Sequence, residues 1–554
     1  MKKSSLTLKL INAPYMIWAV LFILAPLIMV IYYAFTDRSG AFTLDNIKAL
    51  SSYGAIFGRS AWYAVLATVI CLILAYPLAY IMAKSRANTQ RTIMMLIMLP
   101  MWMNFLIRTY SWITILSNTG LINSLLKAVG LPTAQLINTP GAVILGMVYN
   151  FLPYMVLPIY SVMSKLDKSL VEAAQDLGAG KLQVLKKVIF PLSLPGVVSG
   201  ITMVFVPSVS TFYISQKLGG GKFLLIGDSI EMQFQSAYNY NLGASLSLVL
   251  MLLIIVCMLI MNRFADNEEG PYCSRRGGDD NMKALKKIYI ALIMLFLYAP
   301  MLVMVVFSFN ASNSTSVMSG FSLKWYVEMF RNATALTALR NTLVLAVTSA
   351  LISIIIGTAA AVGINAMKKR WLRSAVMTVT NVPMMNPEIV TGVSMMLLFV
   401  FAGKIVSSSS VLGFPTLLIA HVTFNLPYVI LSVLPKLRQT DRHLSEAAQD
   451  LGCTPTSAFF KVVLPNIKSG IITGFIMAFT LSLDDFIISY FVSGAKFQTL
   501  PIVIFSMTKK KVKPDMYALS TLIFVSVLVL MILMNVLQAR SEKKERKRAK
   551  GSEG

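Results

Sequence analysis

Apolar runs of about 20 residues, each enough to cross a hydrocarbon core about 30 Å thick as a helix, recur along the whole chain. Twelve are readable: near 13–34, 60–83, 92–116, 141–163, 192–216 and 243–262 in the first half, and near 287–309, 341–367, 375–402, 412–434, 467–491 and 516–538 in the second. Only 13% of the 554 residues are charged, against about 25% in an ordinary soluble domain. The chain is expected to be an all-α integral membrane protein.

Lys and Arg outnumber Asp and Glu by 49 to 23, a net charge of +26. In a soluble protein that balance points to nucleic acid; here membrane topology accounts for it, and no nucleic-acid partner is expected. Lys2, Lys3 and Lys9 precede the first run, Lys84, Arg86 and Arg91 follow the second, Lys368, Lys369, Arg370 and Arg373 follow the eighth, and a basic stretch runs from Arg540 to Lys550. By the positive-inside rule both termini are cytoplasmic. Lys509, Lys510, Lys511 and Lys513 run against this topology, which puts their loop outside. The first run is too long for a signal-peptide core and lacks a clear cleavage site, so it is expected to remain as a span. Cys71, Cys257, Cys273 and Cys453 form no CxxC pair and the only histidines are His421 and His443, so neither a metal site nor a disulfide framework is expected.

The chain is a duplication. A shift of 274 residues superimposes Ala25-Pro26 on Ala299-Pro300, Leu152-Pro153-Tyr154 on Leu426-Pro427-Tyr428, and Asp167 on Asp441. From Glu172 to Gly196, 11 of 25 positions are identical under that shift. Six runs per half give a parallel repeat about an axis along the membrane normal. The expected division is a first half at 1–262, a cytoplasmic linker at 263–286 rich in Gly and charge, a second half at 287–539 and a basic tail at 540–554. The restart at Met282, three lysines and then an apolar span, reads as a fusion of two once-separate subunits.

The most similar segment is polar. "VEAAQDLGAG" from Val171 returns as "SEAAQDLGCT" from Ser445, each between the fourth and fifth span of its half. Glu-Ala-Ala-Gln-Asp-Leu favours helix until a glycine stops it, and apolar positions then resume until Pro191 and Pro195 introduce the fifth span. The expectation is a short helix, a glycine turn and a second amphipathic helix, projecting from each half as a surface for a partner.

Glu172, Ala173, Ala174, Asp176, Gly178 and Pro191, matched by Glu446, Ala447, Ala448, Asp450, Gly452 and Pro465, resemble the EAA loop of permease subunits of bacterial ABC importers. The loops cover 164–191 and 436–465. The resemblance implies an inner-membrane permease whose loops dock a homodimeric ATP-binding subunit on the cytoplasmic side, with a binding protein delivering substrate outside. Pro455 departs from the pattern and is expected to shift the turn of the second loop; so does the fusion, since such permeases are usually two polypeptides. Gly180-Lys181, Gly221-Lys222 and Gly403-Lys404 lack the flanking residues of a phosphate loop. ATP and Mg are therefore assigned to the partner ATPase, and the chain itself is expected to be neither an enzyme nor a cofactor carrier.

Ionisable groups inside a membrane are costly and are candidates for function. Asp484 and Asp485 in "LSLDDF", aligned with Ser210 and Thr211, and Glu388 in "VPMMNPEIV" suit a cationic substrate; each alone is equally compatible with helix capping or an interhelical contact. Tyr110, Trp112, Tyr154 and Tyr428 are candidate cation faces, although near span ends such residues fit an interfacial belt better. Arg108 is expected to snorkel outward. Gly196, Gly200, Gly470 and Gly474 give small-xxx-small spacings for close helix approach. "LPMWMNFLIRTYSW" and "LIGDSIEMQF" resemble the first permease subunit of spermidine/putrescine importers, and "TLSLDDFIISYFVSG" the second, which implies polyamine uptake; relatives carrying ferric iron, phosphonates or opines keep other substrates open. A twelve-span transporter driven by an ion gradient could use the same acids but leaves the duplicated polar loop unexplained, and no nucleophile-base cluster supports a membrane enzyme.

Overall fold

The structure, a computed structural model, describes residues 13–265, 284–313, 318–367, 369–407, 411–441, 443–508 and 514–529 apart from 523 and 527. Among them ten helices are long and apolar enough to span a membrane, and a bent pair, Asn88–Met101 with Phe105–Ala128, makes an eleventh. The expected run near 516–538 extends past the last described residue, and Lys509 to Lys513, the basic tail and most of the expected linker also lie outside the described residues. Helix Tyr240–Ala265 runs past residue 263, where the expected linker starts, and Ala284–Ser308 begins before residue 286, where it ends.

Several expected continuous spans are broken. The run at 92–116 divides at Leu99–Trp102, and the run at 375–402 divides between Arg370–Met385 and Glu388–Ile405. Helices Phe190–Ser210 and Leu464–Asp484 stop at equivalent positions and resume as Tyr213–Leu218 and Ile487–Val492. A further helix follows in each half, Ile226–Gln235 in the first and Leu500–Thr508 in the second. Their first backbone amides are capped from a span of the same half: Ile226 N donates to Ser60 Oγ at 2.8 Å and Leu500 N to Thr342 Oγ1 at 2.8 Å.

Pro191 and Pro195 do not open a new helix as expected. A single stretch runs from Lys181 to Ser210, and its equivalent from Pro455 to Asp484. Each contains a π-turn, Leu185–Ile189 and Phe459–Val463, immediately before the proline-bearing turn. A proline supplies no amide, and widening the preceding turn keeps the chain helical around the missing bond. Val20–Leu24 does the same ahead of Pro26.

The halves exchange their first helices. Tyr15 and Trp18 hydrogen-bond Thr380 and Thr423 of the second half, the latter at 3.0 Å, and Ala19 and Ile23 are buried with Val429 and Val433. Reciprocally, the Tyr289 and Tyr298 hydroxyls donate to Leu74 O and Leu96 O at 2.7 and 2.8 Å, and the Tyr149 hydroxyl donates to Leu297 O. A third cluster, holding Phe212, Tyr213, Phe486 and Phe505, joins both halves on the axis. Such hydroxyl bonds are worth about 0.6–1 kcal/mol each within a bilayer.

The glycine spacings do permit close approach. A Cβ on Gly196 would lie 2.9 Å from Pro158 O, and one on Gly470 2.8 Å from Ser432 O, at equivalent places in the two halves. Gly54 faces open space. Gly196→Ala or Gly470→Ala is expected to cost about 1–3 kcal/mol through overpacking, while Gly54→Ala should be close to neutral. Thermal unfolding of the detergent-solubilised chain checks the contrast, and equal effects at all three positions would contradict it.

Candidate functional site

The two polar loops fold alike. Asp167 accepts from Ser169 N and Asp441 from His443 N, each at 3.0 Å, capping the helices Lys168–Asp176 and His443–Asp450. Gly178 and Gly452 end them with φ of 81° and 89°, a left-handed conformation that glycine adopts without steric penalty. The closing bonds match: Gly178 N to Gln175 O and Ala179 N to Ala174 O, Gly452 N to Gln449 O and Cys453 N to Ala448 O. This is the paired-bond ending that satisfies the last carbonyls of a helix. Glu172, Ala173 and Asp176, with Glu446, Ala447 and Asp450, point outward, while Ala174 and Ala448 turn toward the protein. Leu177 and Leu451 are 89% and 87% exposed. Pro455 does not shift the turn: it occupies the first position of helix Pro455–Ala458, where its missing amide costs nothing, in register with Lys181 of Lys181–Val184.

The second site lies where the broken helices meet. Asp484, the last residue of its helix, reaches the start of Phe105–Leu116 in the other half. Its Oδ1 accepts from Asn104 Nδ2 at 2.9 Å and from Phe105 N at 3.3 Å, while Asn104 Oδ1 accepts from Leu106 N. The carboxylate thus sits on the positive end of a 12-residue helix, where a negative charge is favoured. Glu388 opens the corresponding helix Glu388–Ile405 and is exposed, with no hydrogen-bond or ion-pair partner among the described residues. The charges of Glu388, Asp484 and Asp485 lie within electrostatic reach of one another, and Tyr154 and Tyr428, equivalent residues of the two halves, share that field.

Asp485 is otherwise engaged. It accepts from Ser489 N at 2.8 Å at the start of Ile487–Val492, and His421 Nε2 lies 3.4 Å from its Oδ2 and 2.9 Å from Ser489 Oγ. Both side chains are almost fully buried, which makes Asp485 a helix cap with an interhelical contact. Ser210 and Thr211 are buried, and the Ser210 hydroxyl donates to Val206 O of its own helix. Both line the break, Ser210 with its hydroxyl already engaged.

Arg108 does not snorkel. It is 5% exposed, and its Nε has no hydrogen-bond partner. The break at Leu99–Trp102 is the reason: the helix carrying Arg108 starts inside the bundle, against Asp484. Trp112, one turn further on, is packed edge-on to Tyr149 at 5.5 Å and is no belt residue. Tyr110 packs against Tyr517 at 6.2 Å.

Some polar residues of the bundle escaped sequence reasoning. Asn104 and His421 lacked any charge in an apolar run to single them out. Asp228 and Glu231 did carry a signal, two acids within "LIGDSIEMQF". Both are buried, Asp228 capping its own helix through Leu225 N and Glu231 accepting from the Tyr490 hydroxyl of the other half at 2.8 Å.

Two sets of spanning helices packed as a repeat around polar groups on their shared axis form a membrane permease. The chain belongs to the family described as binding-protein-dependent transport system inner membrane component, whose model matches it twice, at residues 75–268 and 353–547. It is the permease of an ABC importer, with two permease units in one polypeptide. It is 40% identical over 248 residues to the putrescine transport system permease protein PotI of Escherichia coli K12, covering 45% of this chain and 88% of that protein. It is 41% identical over 227 residues to the spermidine/putrescine transport system permease protein PotB of the same organism, covering 39% and 82%. Among solved structures, a bacterial alginate ABC transporter in complex with an alginate pentasaccharide-bound periplasmic protein aligns over 48% of this chain and 95% of its own, at 16% identity and a TM-score of 0.41.

The His421–Asp485 contact yields a stability prediction. His421→Leu leaves a buried carboxylate short of a partner and should cost about 2 kcal/mol. Asp485→Leu on the same background should restore part of it, with a coupling of at least about 1 kcal/mol. Unfolding midpoints of the two single variants and the double variant decide it, and strict additivity would dissolve the pairing.

Proposed function

We propose that this chain imports a small polycation, most simply putrescine or spermidine, with the cargo passing between the two halves at Glu388 and Asp484. The observation that carries the reading is the charge of the central cluster: three carboxylates, Glu388, Asp484 and Asp485, lie within electrostatic reach of one another, and the Arg108 guanidinium acts on Asp484. A site of that sign attracts ammonium groups and repels phosphonates. Tyr154 and Tyr428 offer ring faces to alkylammonium chains on either side of the axis. The names of the relatives agree with that chemistry.

In this reading the two polar loops take up a pair of ATP-binding subunits. Leu177 and Leu451 fill apolar clefts on them, and Glu172, Asp176, Glu446 and Asp450 make the surrounding polar contacts. ATP and Mg stay with that partner, and a binding protein delivers cargo on the opposite side. Both termini and the segment joining the halves are cytoplasmic, as the distribution of Lys and Arg implies. Closure of the ATPase pair pulls both loops together and reverses the side on which the central cluster is open.

The primary test is ATP hydrolysis by the chain reconstituted with its ATPase and binding protein, against polyamines, amino acids and ferric iron. Stimulation by a polyamine supports the proposal; stimulation only by another ligand rejects the cargo. Leu177→Asp with Leu451→Asp should abolish co-purification of the ATPase while leaving the permease inserted, and unchanged association would refute the docking role. Asp484→Asn and Glu388→Gln should each lower transport at least about tenfold, a loss of about 1.4 kcal/mol, with ATPase association intact. A decline that tracks expression alone would leave these acids only a packing role.

A further inference from the structure

We propose that Arg108 sets how much positive charge the central site accepts, favouring a dication over cargo of higher charge; this rests on the polycation reading above. Arg108 stands one helical turn from the residue that holds Asp484: its backbone N–H donates to Asn104 O at 3.1 Å, and Asn104 Nδ2 in turn donates to Asp484 Oδ1 at 2.9 Å. Long side chains on a helix lean toward its N-terminus, so the guanidinium leans toward the Asp484 end.

A buried guanidinium ordinarily closes onto a carboxylate, because an unpaired buried charge is costly. Arg108 is 5% exposed, yet its Nε is unpartnered and no carboxylate among the described residues lies within ion-pair distance. Its charge acts at longer range instead, and its field reaches Asp484 and Tyr154. A guanidinium acting on Asp484 offsets part of the negative charge that cargo meets there, and exchanging Arg108 for a neutral side chain removes that offset, so cargo of higher positive charge gains. Charges about 6–8 Å apart at an effective dielectric constant near 20 interact by about 2–3 kcal/mol, enough to change which cargo is favoured.

The experiment uses the full chain with its ATPase and binding protein in proteoliposomes and measures kcat and KM for putrescine, spermidine and spermine. The binding protein governs KM and is unchanged in every variant, so the permease contribution appears in kcat. Arg108→Gln is expected to raise the spermidine-to-putrescine kcat ratio about tenfold, and Arg108→Lys, which keeps the charge, to leave it within about twofold. Asp484→Asn should move the ratio the opposite way, and Arg108→Gln combined with Asp484→Asn should return it toward the starting value, whatever the absolute rates. A parallel fall for all amines in Arg108→Gln, with no change of ratio, overturns the proposal and leaves Arg108 a packing residue. An unchanged ratio in Asp484→Asn overturns it as well, even where Arg108→Gln fails to insert. Absence of amine transport by the unsubstituted chain rejects the polycation reading and this inference with it, whereas amine transport with an invariant ratio rejects this inference alone.

Discussion

A helix can stop inside a bilayer only where something other than water satisfies the backbone groups it leaves open, and four breaks in this permease show how that is done. Phe105–Leu116 begins on the Asp484 carboxylate, Ile487–Val492 begins on Asp485, and Ile226–Gln235 and Leu500–Thr508 begin on hydroxyls of Ser60 and Thr342. Each interruption would otherwise cost several kcal/mol. The groups that remove this cost lie at the joints between helices, so each break is also a point of attachment. Asp484 shows the coupling most directly: it ends one helix of the second half and starts one of the first.

From the polar loops through the short helices after the fifth spans, the repeat is exact in backbone and broken in chemistry. Phe190–Ser210 and Leu464–Asp484, with the π-turns before them and the short helices after them, coincide under the 274-residue shift. At the breaks, however, Ser210 and Thr211 in one half face Asp484 and Asp485 in the other, and Met147 stands where the second half has His421. The first half contributes the helix start that receives a carboxylate, and the second half contributes the carboxylate. Phe212 and Phe486, equivalent residues, meet ring to ring at 5.8 Å on the axis, so the divergence lies in the polar layer beside an apolar contact that both halves retain.

Much of this was legible because it depends on local pattern. The first helix and glycine turn of each polar loop could be read, since helix formers and a left-handed glycine leave marks in sequence, and Gly178 and Gly452 adopt the conformation their position demanded; the places of Pro191 and Pro455 could not. Hydropathy located the spans but averaged over their interruptions: nothing in the apolar content near Leu99 or Asn386 separates a break from a continuation. Arg108 was misplaced for that reason, because a continuous span puts it near the outer end and a broken one starts its helix on Asp484, inside the bundle. The exchange of first helices was beyond reach altogether, since Tyr15 and Thr380 are 365 positions apart and either half could have packed against its own first helix.

That exchange bears on why two permease units share one chain. Tyr15 and Trp18 belong to one half and bury themselves in the other, and Tyr289 and Tyr298 do the reverse, so each half is completed by its partner. Pairing of like halves would satisfy the same helix packing, because the backbones coincide, but not the site. Two copies of the second half would set an acid at each break and a proline, Pro387, where Asn104 and the Phe105 amide now receive Asp484. Two copies of the first would have Ser210 and Thr211 at both breaks and no carboxylate there. A tether raises the effective concentration of the unlike partner to the millimolar range, which biases assembly toward the single combination in which Asp484 finds a helix start. The covalent join thus complements the asymmetry of the polar layer: apolar packing alone distinguishes poorly between the halves, and linkage in one chain supplies the discrimination that packing lacks.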